Sequence, residues 1–371
     1  MLDNQLKKLL LLYSLWIAVN VFSGSLLYLY FKEAGLSDFD LVVSFLFWPV
    51  APVLLILFLN NRKNDFRGYM SSAIILMSFA YLVLFPFEPV KELLFFNSFI
   101  VGLTCFLFWV PLNIMYFELS KERAATMSSV YFSMSSLLGL IIPVASGVIA
   151  ETLGFRILFL ISATLFLLLL AAVRAVEKRE YKYDLIDSTK ETKGFKTLII
   201  LEGVYGGGIS AATAIITLMY FETPIKLGAF LSLTTLFSVI ASFVVSRISD
   251  KVQKRKRYIV PFALGLGIAT SLAGLAADDV AWFIAISARN FLATLFYPFT
   301  TTIIVDNKRN MSKLMVGREW LLNVGRIFGI AIVLFCSAVL STIHLSLLFL
   351  GFLIILYPLV IELKRRHISV A

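Results

Sequence analysis

The sequence is poor in charge, in cysteine and in histidine. Asp, Glu, Lys and Arg make up 15% of its 371 residues. An average soluble domain carries about 25%. A soluble chain of this length could not cover its core with so few polar groups. Its two cysteines, Cys105 and Cys336, both fall inside long apolar stretches, which argues against a disulfide framework or a thiolate metal site. Its two histidines, His344 and His367, lie in different segments, and no HExxH or Cys/His cluster exists. Neither GxSxG nor GxxxxGK[ST] occurs, so the chain carries no ATPase of its own. No paired acids or nucleophile–base pair converge, and we expect no enzyme, no cofactor and no bound metal.

Apolar residues are what it has. They account for 60% of the chain, and the mean hydropathy is +0.90. A membrane helix needs about 20 mostly apolar residues. Twelve such runs can be marked: 9–30, 41–59, 69–87, 93–117, 124–149, 155–174, 197–220, 227–246, 258–276, 280–305, 315–340 and 343–362. The first is too long for a signal peptide and reads as an uncleaved span. None alternates as a barrel strand would. The predicted fold is an all-α membrane protein with twelve transmembrane helices in two pseudo-symmetric six-helix bundles. Residues 1–175 form the first bundle and 197–371 the second. The charged stretch 176–196 reads as a solvated linker between them.

The net charge of +10 comes from 33 Lys and Arg against 23 Asp and Glu. Twenty-seven of those bases fall at the N-terminus, in the even-numbered loops or in the C-terminal tail. The odd-numbered loops hold Lys32, Lys91, Arg156 and Lys226, while Arg289 and Arg326 lie inside spans. This asymmetry predicts a multi-pass protein of the cell membrane with both termini cytoplasmic. The excess is then a topology signal and implies no nucleic-acid partner.

Ionisable residues inside spans are costly and mark functional candidates. Glu202 lies about two turns into the seventh span, and Arg289 and Arg326 lie near the middles of the tenth and eleventh. Asn20, Asn97, Asn113, Asn290 and Asn323 add neutral polarity. Spans three, six, nine and twelve have none of this and are expected to face lipid. Glu319, Asn323 and Arg326 are spaced i, i+4, i+7, which places them on one helix face. Two buried Arg against one deep Glu leave a positive excess that an anionic solute would relieve. The structural alternative is a Glu202–Arg326 ion pair that locks two helices, with Arg289 bonded to carbonyls.

Gly203, Gly206, Gly207 and Gly208 follow Glu202 directly. A break in the span would let backbone approach a solute. Close packing through Gly203 and Gly207 is the favoured reading, and Gly325 and Gly329 are read alike. An internal repeat is suggested by Trp109, Pro111 and Glu118 in span four, which match Tyr297, Pro298 and Asp306 in span ten. Gly139 and Gly329 follow at matching depth.

Between spans eight and nine stand Ser246, Asp250, Lys251, Gln253 and the basic run Lys254 to Arg257. This resembles the loop Gly-x-x-x-Asp-Arg/Lys-x-Gly-Arg/Lys-Arg/Lys of the major facilitator superfamily, with Ser246 and Gln253 in place of its glycines. Gly154, Phe155, Arg156 and Phe159 resemble a second segment common there. Span five is similar to the family's antiporter motif, but Leu138 and Ile142 replace two of its glycines. The corresponding loop of the first half, residues 60–68, is degenerate.

The resemblance implies a secondary transporter working by alternating access. Asp250, Lys251, Arg255 and Arg123 would form its cytoplasmic gate, with Asp250 against the start of span five. Arg289, Arg326, Asn20, Trp109, Asn113 and Asn323 are the candidate substrate-binding residues, and Glu202 is the candidate for proton coupling. The expected partners are a small anionic or polar organic solute, protons or another coupling ion, and membrane lipids, with the chain a monomer. Two alternatives stay open. One is an exporter of hydrophobic or amphipathic compounds. The other is a non-transporting receptor or scaffold on the same fold.

Overall fold

A computed structural model describes residues 4–120, 124–249, 256–306 and 310–363. Span one is a broken pair, α1 (Asn4–Gly24) and α2 (Leu27–Glu33). Next come α3 (Asp38–Phe58), a short strand β1 (Lys63–Asp65), α4 (Phe66–Leu82) and α5 (Lys91–Leu119). Span five is also broken, into α6 (Ala124–Gly139) and α7 (Ile142–Leu153), and α8 (Phe155–Arg174) completes the first six. A strap follows, with strand β2 (Glu180–Lys182) and helix α9 (Leu185–Glu191). The last six begin with α10 (Lys196–Tyr220), α11 (Pro224–Ser249) and α12 (Lys256–Ala273). They end with α13 (Asp279–Asp306), α14 (Met311–Ala338) and a span split into α15 (His344–Ile355) and α16 (Tyr357–Leu363).

Ten of these helical stretches are long and apolar enough to cross a membrane. The apolar part of α12, Tyr258–Ala273, is shorter. The 17 residues of α4 span roughly 26 Å at 1.5 Å per residue, close to a hydrocarbon core. Breaks occur where sequence permits them. Pro143 enters at the first turn of α7, where its missing N–H costs nothing. Gly154 takes φ +86° between α7 and α8, which a side chain would strain. Pro111 lies in the last third of the 29-residue α5, and Pro298 in the last third of the 28-residue α13.

The helical stretches before the strap and those after it meet along two seams. In one, α11 packs on α6 and α7. A Cβ on Gly228 would strike the carbonyl of Pro143, and one on Gly147 would meet that of Pro224 at 2.5 Å, so backbones touch there. In the other, α14 packs on α3 and α5.

The strap is folded. β2 pairs antiparallel with β1, with Asn64 opposite Tyr181. Tyr181 and Tyr183 are buried, and the Tyr183 hydroxyl donates to the Ile56 carbonyl at 2.8 Å. Arg179 meets Glu118 at 2.5 Å. Beyond Asp184, which caps α9, the strap crosses to the other six spans. Asp187 pairs with Lys313 at 3.2 Å, and a Cβ on Gly317 would strike the carbonyl of Ser188. Most of the strap's charged side chains are exposed, and its tyrosines anchor it. We call this side of the molecule the strap face.

Candidate functional site

Three adjoining cavities lie between the two sets of spans. The largest, 580 Å³, is lined by residues including Asn20, Ser135, Gly139, Thr235, Ser238 and Asn290. A second of 320 Å³ includes Arg289, Thr213, Thr217, Tyr28 and Phe45. A third of 260 Å³ includes Leu27, Trp48, Tyr81, Asn97 and Val101. Gly24, where span one breaks, borders all three. The break in span five, at Gly139 and Pro143, borders the largest.

On α10 one face looks into this space. Ser210 is exposed although it sits mid-helix, and a Cβ on Gly206 would meet nothing within 4 Å. Thr213 and Thr217 continue that face at helical spacing. Their hydroxyls already donate back to carbonyls one turn earlier, at 2.6 Å each, as does Ser210 at 2.8 Å. The oxygens of Ser210 and Thr213 remain available as acceptors, while that of Thr217 already accepts from the Trp282 indole N–H at 3.1 Å.

The opposite face of α10 is sealed against α14. A Cβ on Gly203, Gly325 or Gly329 would run into backbone of the other helix, and one on Gly207 would lie 2.5 Å from the Arg326 Cα. So α10 is continuous, and Gly203 and Gly207 serve close packing, the favoured of the two readings.

Arg289 lines the 320 Å³ cavity. Its Nε donates to the Tyr205 hydroxyl at 3.3 Å, and its Nη1 to Asn290 Oδ1 at 2.9 Å. Among the described residues no carboxylate contacts it, and Nη2 has no protein partner. The other buried bases are paired. Arg318 Nη2 donates to Glu202 Oε1 at 2.6 Å, with both side chains at most 14% exposed. The second Glu202 oxygen, Oε2, is buried without a partner among the described residues. Arg326 Nη1 donates to Glu319 Oε1 at 3.1 Å and to Asn323 Oδ1 at 2.8 Å. The Asn323 amide donates to Glu319 Oε1 at 2.8 Å.

The expected stripe Glu319–Asn323–Arg326 therefore forms, and the alternative Glu202–Arg326 pair does not. Glu202 meets Arg318, not Arg326, and Glu319 is a second deep carboxylate. Sequence depth explains this. Glu202 and Arg318 each lie about two turns into their helices from the strap face, while Arg326 lies two turns deeper. The local excess of positive charge is one guanidinium, Arg289.

Of the other expected site residues, Asn20 lines the cavities. Trp109 and Asn113 do not. Trp109 packs edge-on to Tyr13 at 5.8 Å, and Asn113 accepts from the Tyr131 hydroxyl at 2.9 Å. Both belong to an aromatic cluster on the strap-face side. Asn323 is wholly buried beside Glu319. Arg326 is set over the ring of Trp48. The expected gate residues Asp250, Lys251, Arg255 and Arg123 lie outside the described residues. The hydroxyl lining and the break at Gly24 carry no sequence signal beyond ordinary small residues in apolar helices.

A bundle of membrane-crossing helices whose two halves enclose a polar cavity is the architecture of a carrier. A family model described as Major Facilitator Superfamily matches residues 9–312, and the chain belongs to that superfamily. No curated protein matches its sequence closely enough to count as a relative. Among solved structures, the E. coli fucose:proton symporter aligns with a TM-score of 0.70 and 14% identity, covering 97% of this chain and 98% of that one. A POT family transporter in complex with 5-aminolevulinic acid gives 0.73 and 13%, covering 98% and 96%. The human organic anion transporter MFSD10 gives 0.69 and 11%, covering 96% and 99%. At these identities the likeness is one of fold.

Proposed function

We propose that this chain is a secondary active transporter that moves a small organic anion by alternating access around the central cavity. The observation that carries this reading is Arg289, a cation that lines the cavity without a carboxylate partner among the described residues. A charge held in the membrane interior is costly unless function uses it. Residues 1–175 and 197–371 would act as two rocking bundles joined by 176–196, with both termini cytoplasmic. Asn20 and Asn290 would orient the solute beside Arg289. Asp250, Lys251, Arg255 and Arg123 would close the cytoplasmic gate.

Glu202 is the proposed proton carrier. Its pairing with Arg318 and its one unpartnered oxygen support this, because protonation would release Arg318 and loosen the strap-face ends of α10 and α14. Glu319, locked by Arg326 and Asn323, has less freedom to do so.

The test is counterflow in proteoliposomes with a panel of organic anions. A charge-assisted hydrogen bond contributes about 1.5–3 kcal/mol. Arg289→Gln should therefore weaken transport about tenfold to a hundredfold. Glu202→Gln should abolish pH-driven uptake while sparing counterflow. Binding without counterflow would make the protein a receptor. Transport of neutral apolar compounds, unchanged by Arg289→Gln, would make it an exporter of hydrophobic molecules.

A further inference from the structure

Resting on the reading that Arg289 holds the anionic group, the cavity narrows the solute further. We propose that it is an amphipathic monoanion: one carboxylate-type charge on a flat apolar body.

Charge counting gives the first half. Among the described residues that line the three adjoining cavities, Arg289 is the one charged side chain. The neighbouring bases cannot help, because Arg318 and Arg326 are held by Glu202 and Glu319. One guanidinium balances one negative charge. A second would be buried unpaired, which is strongly unfavourable. A neutral solute could accept a hydrogen bond from the guanidinium but would leave its charge uncompensated.

Shape gives the second half. The 260 Å³ lobe is lined mostly by apolar and aromatic side chains, Tyr28, Phe45, Trp48 and Tyr81 among them, with Asn20, Asn97, Ser98 and Ser210 as its polar groups. Tyr28 and Phe45 stack with centroids 4.5 Å apart and planes 9° from parallel. The same two rings line the 320 Å³ lobe that holds Arg289, so an apolar wall runs from the guanidinium towards Trp48. Each ring of the stack keeps one outer face, on which a flat apolar group packs well. Together the two lobes fall within the range of about 300–1,000 Å³ usual for small-molecule sites.

The experiment is a thermal shift of the full chain in detergent with four probes at millimolar concentration. They are 3-phenylpropionate, its neutral amide, the dianion phenylsuccinate, and the hydrophilic monoanion gluconate. We expect 3-phenylpropionate alone to raise Tm. Arg289→Gln should abolish that shift, and Phe45→Leu should weaken apparent affinity severalfold, provided each unliganded variant remains monodisperse. If Arg289→Gln does not fold, Arg289→Lys serves. It should keep the preference for the acid over its amide, and loss of that preference would overturn the proposal. A shift by gluconate that depends on Arg289, with none by 3-phenylpropionate, would overturn the proposal and leave the organic-anion reading standing. An equal shift by the amide in wild type and Arg289→Gln would overturn both. No shift by 3-phenylpropionate overturns the proposal, and counterflow then judges the anion reading alone.

Discussion

The guanidinium of Arg326 sits 4.8 Å from the ring centre of Trp48, and the two residues come from opposite halves of the chain. Arg326 is held from behind by Glu319 and Asn323, and Trp48 is fixed by donating its indole N–H to the Cys105 sulfur at 2.9 Å. A ring and a cation held this way form a latch between α3 and α14.

That latch should be measurable. A cation–π contact contributes about 0.5–2 kcal/mol, more when desolvated. Trp48→Leu should lower stability in detergent by an amount in that range. Trp48→Phe, which keeps a ring face, should lose less. Equal losses for the two variants, measured by thermal unfolding, would show that packing and not the cation is at work.

The Glu202–Arg318 pair gives a second expectation. Removing one member of a buried pair leaves the other charge unbalanced, at a cost of about 3–5 kcal/mol, whereas replacing both with apolar residues can be neutral. Arg318→Met should therefore destabilise strongly, and Glu202→Leu added to it should restore much of the loss. A double variant no more stable than the single would refute the pairing.

The glycines of α10 should divide by face. Gly207→Ala must push against the backbone of α14 and should destabilise by several kcal/mol or prevent folding. Gly206→Ala has open space and should be neutral or stabilise by up to about 1 kcal/mol through helix propensity. Gly206→Leu should keep the fold yet fill the cavity beside Ser210. We expect normal Tm with loss of counterflow.

Acid should loosen the strap. Hydrogen bonding and charge from Lys313, aided by Lys190, hold the Asp187 carboxyl below its ordinary value. A depressed carboxylate stabilises the fold above its unfolded pKa, and that contribution is lost as pH falls through the lower folded value. The window is thus below about pH 4. Hydrogen exchange in residues 185–192 should speed up there, and Asp187→Asn should remove the pH dependence. An exchange rate flat with pH in the wild type would contradict this.

The helices were legible because long apolar runs have no other stable use in a membrane protein. The glycine packing of α10 was legible too, from spacing alone. The pairing of charges was not, since it turns on depth. Arg318 stands near the start of the apolar run 315–340, and α14, which begins at Met311, carries it about two turns inward. The linker was legible as a charged stretch but its folding was not, because a three-residue strand such as Lys63–Asp65 is too short for alternation to show. The cavity wall of Ser210, Thr213 and Thr217 escaped because hydroxyls bonded to their own helix look unremarkable in any apolar segment.

The unpaired state of Arg289 has an electrical consequence. A water-filled cavity takes the potential of whichever side it opens to. An empty carrier that rocks therefore moves one positive charge through the membrane field, worth about 2.3 kcal/mol per 100 mV. The proposed monoanion on Arg289 would cancel that charge, and a proton on Glu202 would restore it by leaving Arg318 uncompensated. Voltage would then act on the empty return, and on the loaded crossing only when a proton travels with the anion.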